Sequence, residues 1–202
     1  MKYFILSLFL TITTAGFSLH CQNQTQNDEA FELTKRENVL VPAVPSKLHQ
    51  KVVDYMRKEA QALVKMGYKV ETERKGEVIV VTIPLTQFFK PNETELIKDS
   101  DRLLEPFLSY VKTEGRFKLL VVMHSDDTGS QAYQEELTEK RLDQVMDYFL
   151  SKARFHDQII GYAMASDEPL RPNNTRANRE LNRRLEIYIV PLDNLIQQLK
   201  KK

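Results

Sequence analysis

The sequence predicts an α/β fold, a two-layer sandwich in which helices pack on one face of a mixed β-sheet. Short apolar runs alternate along the chain with longer segments whose apolar residues recur at helical spacing. Sheets and amphipathic helices each have an apolar face to bury, so this alternation predicts that the two pack together. The chain has 202 residues, of which 42% are hydrophobic and 28% are charged. That composition fits one modest core with extensions.

Five short segments predict the strands of the sheet. Residues 68–73 and 77–83 flank Lys75 and Gly76, a pair that fits the turn of a hairpin. The remaining predicted strands are apolar runs at residues 117–123, 158–164 and 185–190. The run at 117–123 is apolar over nearly its whole length, which predicts a strand that is buried on both faces.

Three segments predict helices. The segment 46–66 begins at Ser46, a residue type favoured at helix N-caps, and its apolar pattern stops at Gly67. Its apolar face predicts packing on the domain that follows, and a separate partner-binding helix is the alternative. The second helix is predicted at 92–112 and the third at 130–152. The apolar face of the second consists of Leu96, Leu103, Leu104, Phe107, Leu108 and Val111.

The two ends of the chain are predicted to lie outside this domain, which spans residues 67–191. Residues 1–20 have a short basic start, an apolar core and then small residues, the layout of a secretory signal peptide; an uncleaved membrane anchor is the alternative. Residues 21–45 lack periodicity and contain two prolines, which predicts a flexible polar linker. Residues 192–202 are predicted to be a basic C-terminal tail.

Cys21 is the only cysteine and directly follows the predicted leader. A disulfide within one chain needs two cysteines, so Cys21 is a free thiol, a removed residue or a lipid attachment point. The polar stretch behind it resembles the tether of bacterial lipoproteins, whose N-terminal cysteine is acylated. Those proteins carry a small residue just before the cysteine, whereas this chain has His20.

Charge and motif content exclude several classes of function. The chain has 29 Lys+Arg against 28 Asp+Glu, so it lacks the general positive field of a nucleic-acid-binding protein. Its four histidines show no paired metal spacing, and no glycine-rich phosphate loop is present; we therefore expect neither a metal nor a cofactor. An arginine cluster is expected to form salt bridges within the domain or to contact anionic groups of a partner; it comprises Arg171, Arg176, Arg179, Arg183 and Arg184.

The turn after the central predicted strand carries the most informative charges. Asp126 lies just past the carboxyl end of that strand, where open α/β sheets present ligand-binding groups. Arg141 lies on the next helix between Leu137 and Val145, and so borders the face turned towards the sheet. One interpretation is structural: an ion pair of Arg141 with Asp126 or Asp127, or an aspartate that caps the helix. The other is a clamp for a zwitterion, in which the carboxylate binds an ammonium and the guanidinium a carboxylate.

Three ordered motifs carry a resemblance to a known family. The segments HSDDTGSQAY, LTEKR and NNTRANRELNRRLEI resemble the OmpA-like peptidoglycan-binding domain of OmpA, Pal and MotB proteins. The resemblance covers residues 67–191 and implies that family's fold. It places the family's key aspartate on Asp126 and its key arginine on Arg141, which would bind the ammonium and the carboxylate of diaminopimelate in the peptide stem.

Further positions follow from the same resemblance. Asn92, Ser125 and Gln134 fall where the family lines its ligand site. Supporting residues of the C-terminal signature fall on Thr175, Arg179, Asn182, Arg183 and Arg184. The chain departs from the family pattern at Met123, Leu142, Ala163 and Asn178. Met123 is expected to add bulk near the pocket rim, and Asn178 replaces a glycine at a position where asparagine tolerates a left-handed backbone.

These observations lead to one expected function. The protein is expected to be a non-enzymatic module of the periplasm, or of the periplasmic side of the outer membrane, that binds peptidoglycan non-covalently and links it to that membrane. His124, next to the site, is expected to be a structural residue at a strand end. The alternatives are an OmpA-like scaffold that binds proteins and not the wall, and a wall-remodelling hydrolase.

Overall fold

A computed structural model describes residues 33–201, and its centre is a five-stranded mixed sheet. The strands run in the order β1-β2-β5-β3-β4; all neighbours are antiparallel except β3 and β4, which are parallel. Both the hairpin and the mixed sheet are confirmed. The strands are β1 (Lys69–Glu73), β2 (Val78–Pro84), β3 (Phe117–His124), β4 (Ile159–Ala165) and β5 (Arg184–Pro191).

The long helices pack on one face of this sheet, which confirms the predicted two-layer α/β architecture. The helices are α1 (Lys35–Leu40), α2 (His49–Lys65), α3 (Gln131–Lys152), α4 (Arg176–Asn182) and α5 (Asp193–Lys200). Buried side chains of α2, α3 and α5 share one core with alternate residues of the strands. None of the helices in the described part of the chain has the length and apolar content needed to span a membrane.

The first long helix packs on the domain, as predicted, but begins later. Ser46 opens a 3₁₀ turn and is not the N-cap; α2 begins at His49, after a turn that ends at Leu48. Its core-facing residues Val52 and Met56 are fully buried, and so is the apolar stripe that continues from them. Met66, the last residue of the predicted helix, is exposed.

The prediction of an α-helix at 92–112 is wrong. This segment forms two short 3₁₀ helices, Ser100–Leu103 and Glu105–Ser109. Asp99 precedes the first with a left-handed φ of 65°, and Pro106 has no N–H to donate within the second. Both features break an α-helical hydrogen-bond ladder. The apolar positions were nonetheless recognised correctly, because buried side chains include Leu104, Phe107 and Val111.

The prediction of a flexible linker at 21–45 is wrong over residues 33–45. There α1 lies against the second face of the sheet, with Val39 buried in an apolar cluster. Arg74 fastens the segment by donating hydrogen bonds to the carbonyl oxygens of Val39 (2.8 Å) and Pro42 (2.9 Å). The predicted signal peptide and Cys21 lie outside the described residues.

The basic tail predicted at 192–202 is also wrong, because most of it forms α5. Leu195, Ile196 and Leu199 recur at helical spacing and are buried against the core. The lysines at the chain end make this segment resemble a basic tail, although it forms a short amphipathic helix. The helix α4, in the loop between β4 and β5, was not predicted either.

A buried polar cluster on the second face joins the ends of β3 and β5, directly before the turn that carries Asp126. The Glu186 carboxylate accepts hydrogen bonds from Arg184 Nε (2.7 Å) and the Tyr188 hydroxyl (2.9 Å), and it lies 3.3 Å from His124 Nε2. Burial alone would raise the pKa of Glu186, but the contacts with His124 and Arg184 outweigh it and lower the pKa to about 2. Burial lowers the pKa of His124.

We expect acid to destabilise the fold through this cluster. Glu186 has an ordinary pKa of 4.5 and a folded pKa of about 2, so its contribution is fully present above 4.5 and is lost as the pH falls towards 2. That contribution is on the order of 3 kcal/mol. Urea unfolding at pH 7, 5 and 3 should show a steep loss of unfolding free energy for the wild type. Glu186→Gln should be less stable at pH 7 and lose less between pH 5 and 3.

The exposed carboxylate Glu180 offers a matched control on α4. Glu180→Gln should retain the wild-type dependence on pH. Equal pH slopes in Glu186→Gln and the wild type would contradict the assignment of acid sensitivity to Glu186.

Candidate ligand-binding site

The structure brings all five predicted ligand-binding residues to one cavity of about 300 Å³. The cavity lies where β3 ends, between the start of α3 and the loop that follows β2. Its lining includes Asn92, Ser125, Asp126, Gln134 and Arg141. Residues that are far apart in the chain therefore contribute to a single site.

The start of α3 is fixed by a tight turn after β3. The backbone N–H of Ser125 donates to the carbonyl of Ala165 at the end of β4 (2.7 Å), which fixes the exit of the chain from the sheet. Gly129 then takes a left-handed φ of 90°. Ser130 is the N-cap of α3, and its side chain accepts a hydrogen bond from the N–H of Tyr133. The predicted start of this helix is confirmed.

Asp126 is buried and both of its carboxylate oxygens have partners within the protein. Oδ1 accepts a hydrogen bond from the N–H of Thr128 (2.9 Å), and Oδ2 accepts one from Nη1 of Arg183. Burial by itself raises the pKa of Asp126, but the hydrogen bonds from Thr128 and the charge of Arg183 outweigh it, so the net pKa lies below its ordinary value. Asp126 is therefore a carboxylate at neutral pH.

Arg141 is buried, with 5% of its surface exposed, and its partners are backbone carbonyls. Nε donates to the carbonyl of Glu93 (2.8 Å), and Nη2 donates to the carbonyl of Lys90 (3.2 Å). The guanidinium lies over the ring of Phe89, 5.0 Å from its centroid. Burial lowers the pKa of Arg141, but a guanidinium stays charged at neutral pH.

The internal ion pair considered for Arg141 does not form. Within residues 33–201, no carboxylate lies within salt-bridge distance of Arg141, and Asp126 pairs with Arg183 instead. Two of the five N–H donors of Arg141 are used by backbone carbonyls, which leaves three without a described partner. An anionic ligand can use these donors.

The three other predicted residues complete the wall of the cavity. Asn92 has a left-handed φ of 60°, and its Oδ1 accepts a hydrogen bond from the hydroxyl of Tyr133 (3.2 Å). Gln134 is buried, donates to the carbonyl of Gly129 (3.1 Å) and accepts from Ser166 (2.6 Å). The Ser125 hydroxyl donates to the carbonyl of Asp126 (2.9 Å). These bonds hold the turn, α3 and the 88–99 loop in one arrangement.

Most of the predicted supporting residues brace the loop before β5. Thr175 caps α4, Arg179 donates to the carbonyl of Asn173 (2.7 Å), and the fully buried Asn182 holds the backbone of Arg171 from both sides. Arg184 belongs to the Glu186 cluster. Arg183 differs from the other supporting residues because it lines the cavity.

Three detailed expectations are wrong. Asp127 is exposed and neither closes the turn nor caps α3, because Asp126 and Ser130 do so. Met123 is fully buried in the core and does not line the cavity. Asn178 lies within α4 and does not have a left-handed backbone.

Sequence reasoning missed several cavity residues. Phe89 and Lys90 precede the predicted helix at 92–112, and that wrong prediction concealed a loop that wraps over Arg141. Tyr133 lies in the first turn of α3 and is 41% exposed. An aromatic residue on the otherwise polar start of this helix was the one available signal for it.

Comparison with known proteins agrees with this fold. Residues 88–183 match the OmpA family. Outer membrane protein A of Bordetella avium is 28% identical over 103 residues, which cover 51% of this chain and 53% of that protein, so the chain spans about half of its length.

Two solved structures share the fold. A MotB-like protein of Desulfovibrio vulgaris superposes with a TM-score of 0.63 at 20% identity, covering 71% of this chain and 99% of the other. The cell wall anchor of the T6SS from Pseudomonas aeruginosa superposes with a TM-score of 0.55 at 23% identity, covering 67% and 95%. The chain therefore matches the OmpA family over residues 88–183, a little under half of its length.

Proposed function

We propose that the protein binds peptidoglycan non-covalently, with Asp126 and Arg141 as the two halves of a clamp for diaminopimelate in the peptide stem. The observation that carries this proposal is the buried guanidinium of Arg141, which has no carboxylate partner within the described residues. A buried charge normally has a counter-ion, because desolvation without one is costly. A ligand carboxylate would supply it.

The chemistry of the cavity suits a zwitterion. The free donors of Arg141 can form two parallel, charge-assisted hydrogen bonds with a carboxylate. Asp126 is ionised and lines the same cavity, so it can accept hydrogen bonds from an ammonium group. Asn92, Ser125 and Gln134 would then position the ligand by contacts from the remaining wall.

The relatives support this proposal through their names. The structural relative from Pseudomonas aeruginosa is a cell wall anchor, and the Bordetella relative is an outer membrane protein. A binding role without catalysis also fits the cavity. His124, the histidine nearest to Asp126 in sequence, is fully buried beside Glu186 and does not line the cavity, so it is not placed to act as an acid or base there.

Sedimentation with purified sacculi tests the clamp. Arg141→Ala and Asp126→Ala should each weaken binding by roughly ten- to a hundredfold, the range expected when one sheltered charge-assisted bond is lost. Arg141→Lys should also weaken it, because an ammonium cannot reproduce the two-bond geometry of a guanidinium.

Two controls make the sedimentation result interpretable. Arg176→Gln removes a cation from the exposed side of α4, outside the cavity, and should bind as the wild type does. Circular dichroism and thermal unfolding should show that the cavity variants remain folded. Wild-type binding that persists in both folded alanine variants would contradict the proposal.

We further propose that the protein links the wall to the outer membrane through a lipid on Cys21, which lies outside the described residues. Mass spectrometry of the mature protein should then find an N-terminal acylated cysteine, and Cys21→Ser should move the protein from the membrane fraction to the soluble periplasm. An unmodified N-terminus at another residue would contradict lipid anchoring and leave the clamp unaffected.

A further inference from the structure

We infer that Arg183 determines the charge selectivity of the cavity: by pairing with Asp126 it leaves a positive excess, so the favoured ligand carries a carboxylate beyond the one that Arg141 binds. This inference rests on the proposed function, because it concerns the ligand of the same cavity. It differs from the clamp alone, which would accept any group with one ammonium and one carboxylate.

The position of Arg183 is set by the backbone on both sides. Its N–H donates to the carbonyl of Arg179 in α4 (3.1 Å), and its carbonyl accepts a hydrogen bond from the N–H of Leu85 (3.0 Å). These bonds place Arg183 between α4 and β5, from where its side chain reaches Asp126. The side chain is 31% exposed, so its guanidinium borders both the carboxylate and the open cavity.

The charges that line the cavity do not balance. They are one carboxylate, Asp126, and three cations: Lys90, Arg141 and Arg183. Arg183 already pairs with Asp126, so the ammonium group of a ligand would share this carboxylate with Arg183. The net field of the cavity therefore favours ligands with more carboxylates than the clamp needs.

Arg183 can contact such a carboxylate directly. Only Nη1 has a partner within the described residues, the Oδ2 of Asp126, so the other guanidinium donors stay available. A guanidinium can hold one carboxylate with one edge and another with a second edge, because its five donors lie in one plane and point outwards. Arg141 and Arg183 then bind two carboxylates of one ligand, and Asp126 binds its ammonium.

Three synthetic peptides test this inference. The probes are the stem tripeptide L-alanyl-γ-D-glutamyl-diaminopimelate with all carboxylates free, and two versions that are amidated either at the glutamate carboxyl or at the side-chain carboxyl of diaminopimelate. Calorimetry should show weaker binding of the amidated peptides to the wild type. In Arg183→Gln, one of the two amidation penalties should fall by roughly tenfold, the size of one sheltered charge interaction.

The matched variants separate this role from a general loss of charge. Arg176→Gln, which removes an exposed cation from the neighbouring helix α4, should keep both amidation penalties. A measurement without ligand also bears on the inference: the NMR titration of the Asp126 carboxyl should shift to higher pH in Arg183→Gln and stay unchanged in Arg176→Gln.

Each outcome decides the matter. A reduced penalty together with the shifted Asp126 titration supports the inference. Two unchanged penalties in Arg183→Gln, or an unchanged Asp126 titration, would overturn it, even if sacculus binding still depends on Asp126 and Arg141. If the wild type binds neither sacculi nor any tripeptide, the proposed function fails and this inference fails with it.

Discussion

The burial of Arg141 is the constraint on which the site depends. A guanidinium keeps its charge inside a protein, so its donors need acceptors that the fold must supply. Here the acceptors are the backbone carbonyls of Lys90 and Glu93, and the ring of Phe89 covers the plane of the group. Carbonyls inside a regular helix are occupied by the helix itself. The loop after β2 is irregular, and its carbonyls can therefore face Arg141.

The same constraint explains the conformation of Asn92. This residue takes a left-handed backbone between the two carbonyls that face Arg141, and asparagine tolerates that conformation better than most residues. Its side chain is then bonded to Tyr133 on α3. The loop and the helix that carries Arg141 hold each other, so cavity shape and cation position cannot vary independently.

The sequence allowed the sheet to be predicted well because strands here are short runs of buried residues. The eight residues of β3 are all buried, and such a run is recognisable without knowledge of its neighbours. The segment at 92–112 shows the opposite case. Its apolar residues recur at helical spacing and are buried, but Asp99 and Pro106 turn the chain into short 3₁₀ helices. Apolar periodicity indicates which side chains face the core, but it does not indicate whether the backbone forms α-helical or 3₁₀ hydrogen bonds.

The site was predictable in membership but not in pairing. Spacing and the family motifs predict that Asp126 and Arg141 face one cavity, and both line the cavity described above. The cation that pairs with Asp126 is Arg183, whose backbone is bonded to Arg179 in α4 and to Leu85 directly after β2. Such a pairing arises from three distant segments, and no periodicity within one of them encodes it.

Pairing of Asp126 within the protein has a physical reason of its own. A buried carboxylate without a partner would have a raised pKa and could be protonated near neutral pH, which would abolish its attraction for an ammonium. The Thr128 N–H and Arg183 prevent this by lowering the pKa of Asp126. Arg183 thus helps to keep Asp126 ionised, but its positive charge also weakens the negative field of Asp126. Arg141, in contrast, has no carboxylate partner within the described residues. The two charges of the cavity thus differ in kind, because Asp126 is paired within the protein and Arg141 has only backbone carbonyls and an aromatic ring as its described partners.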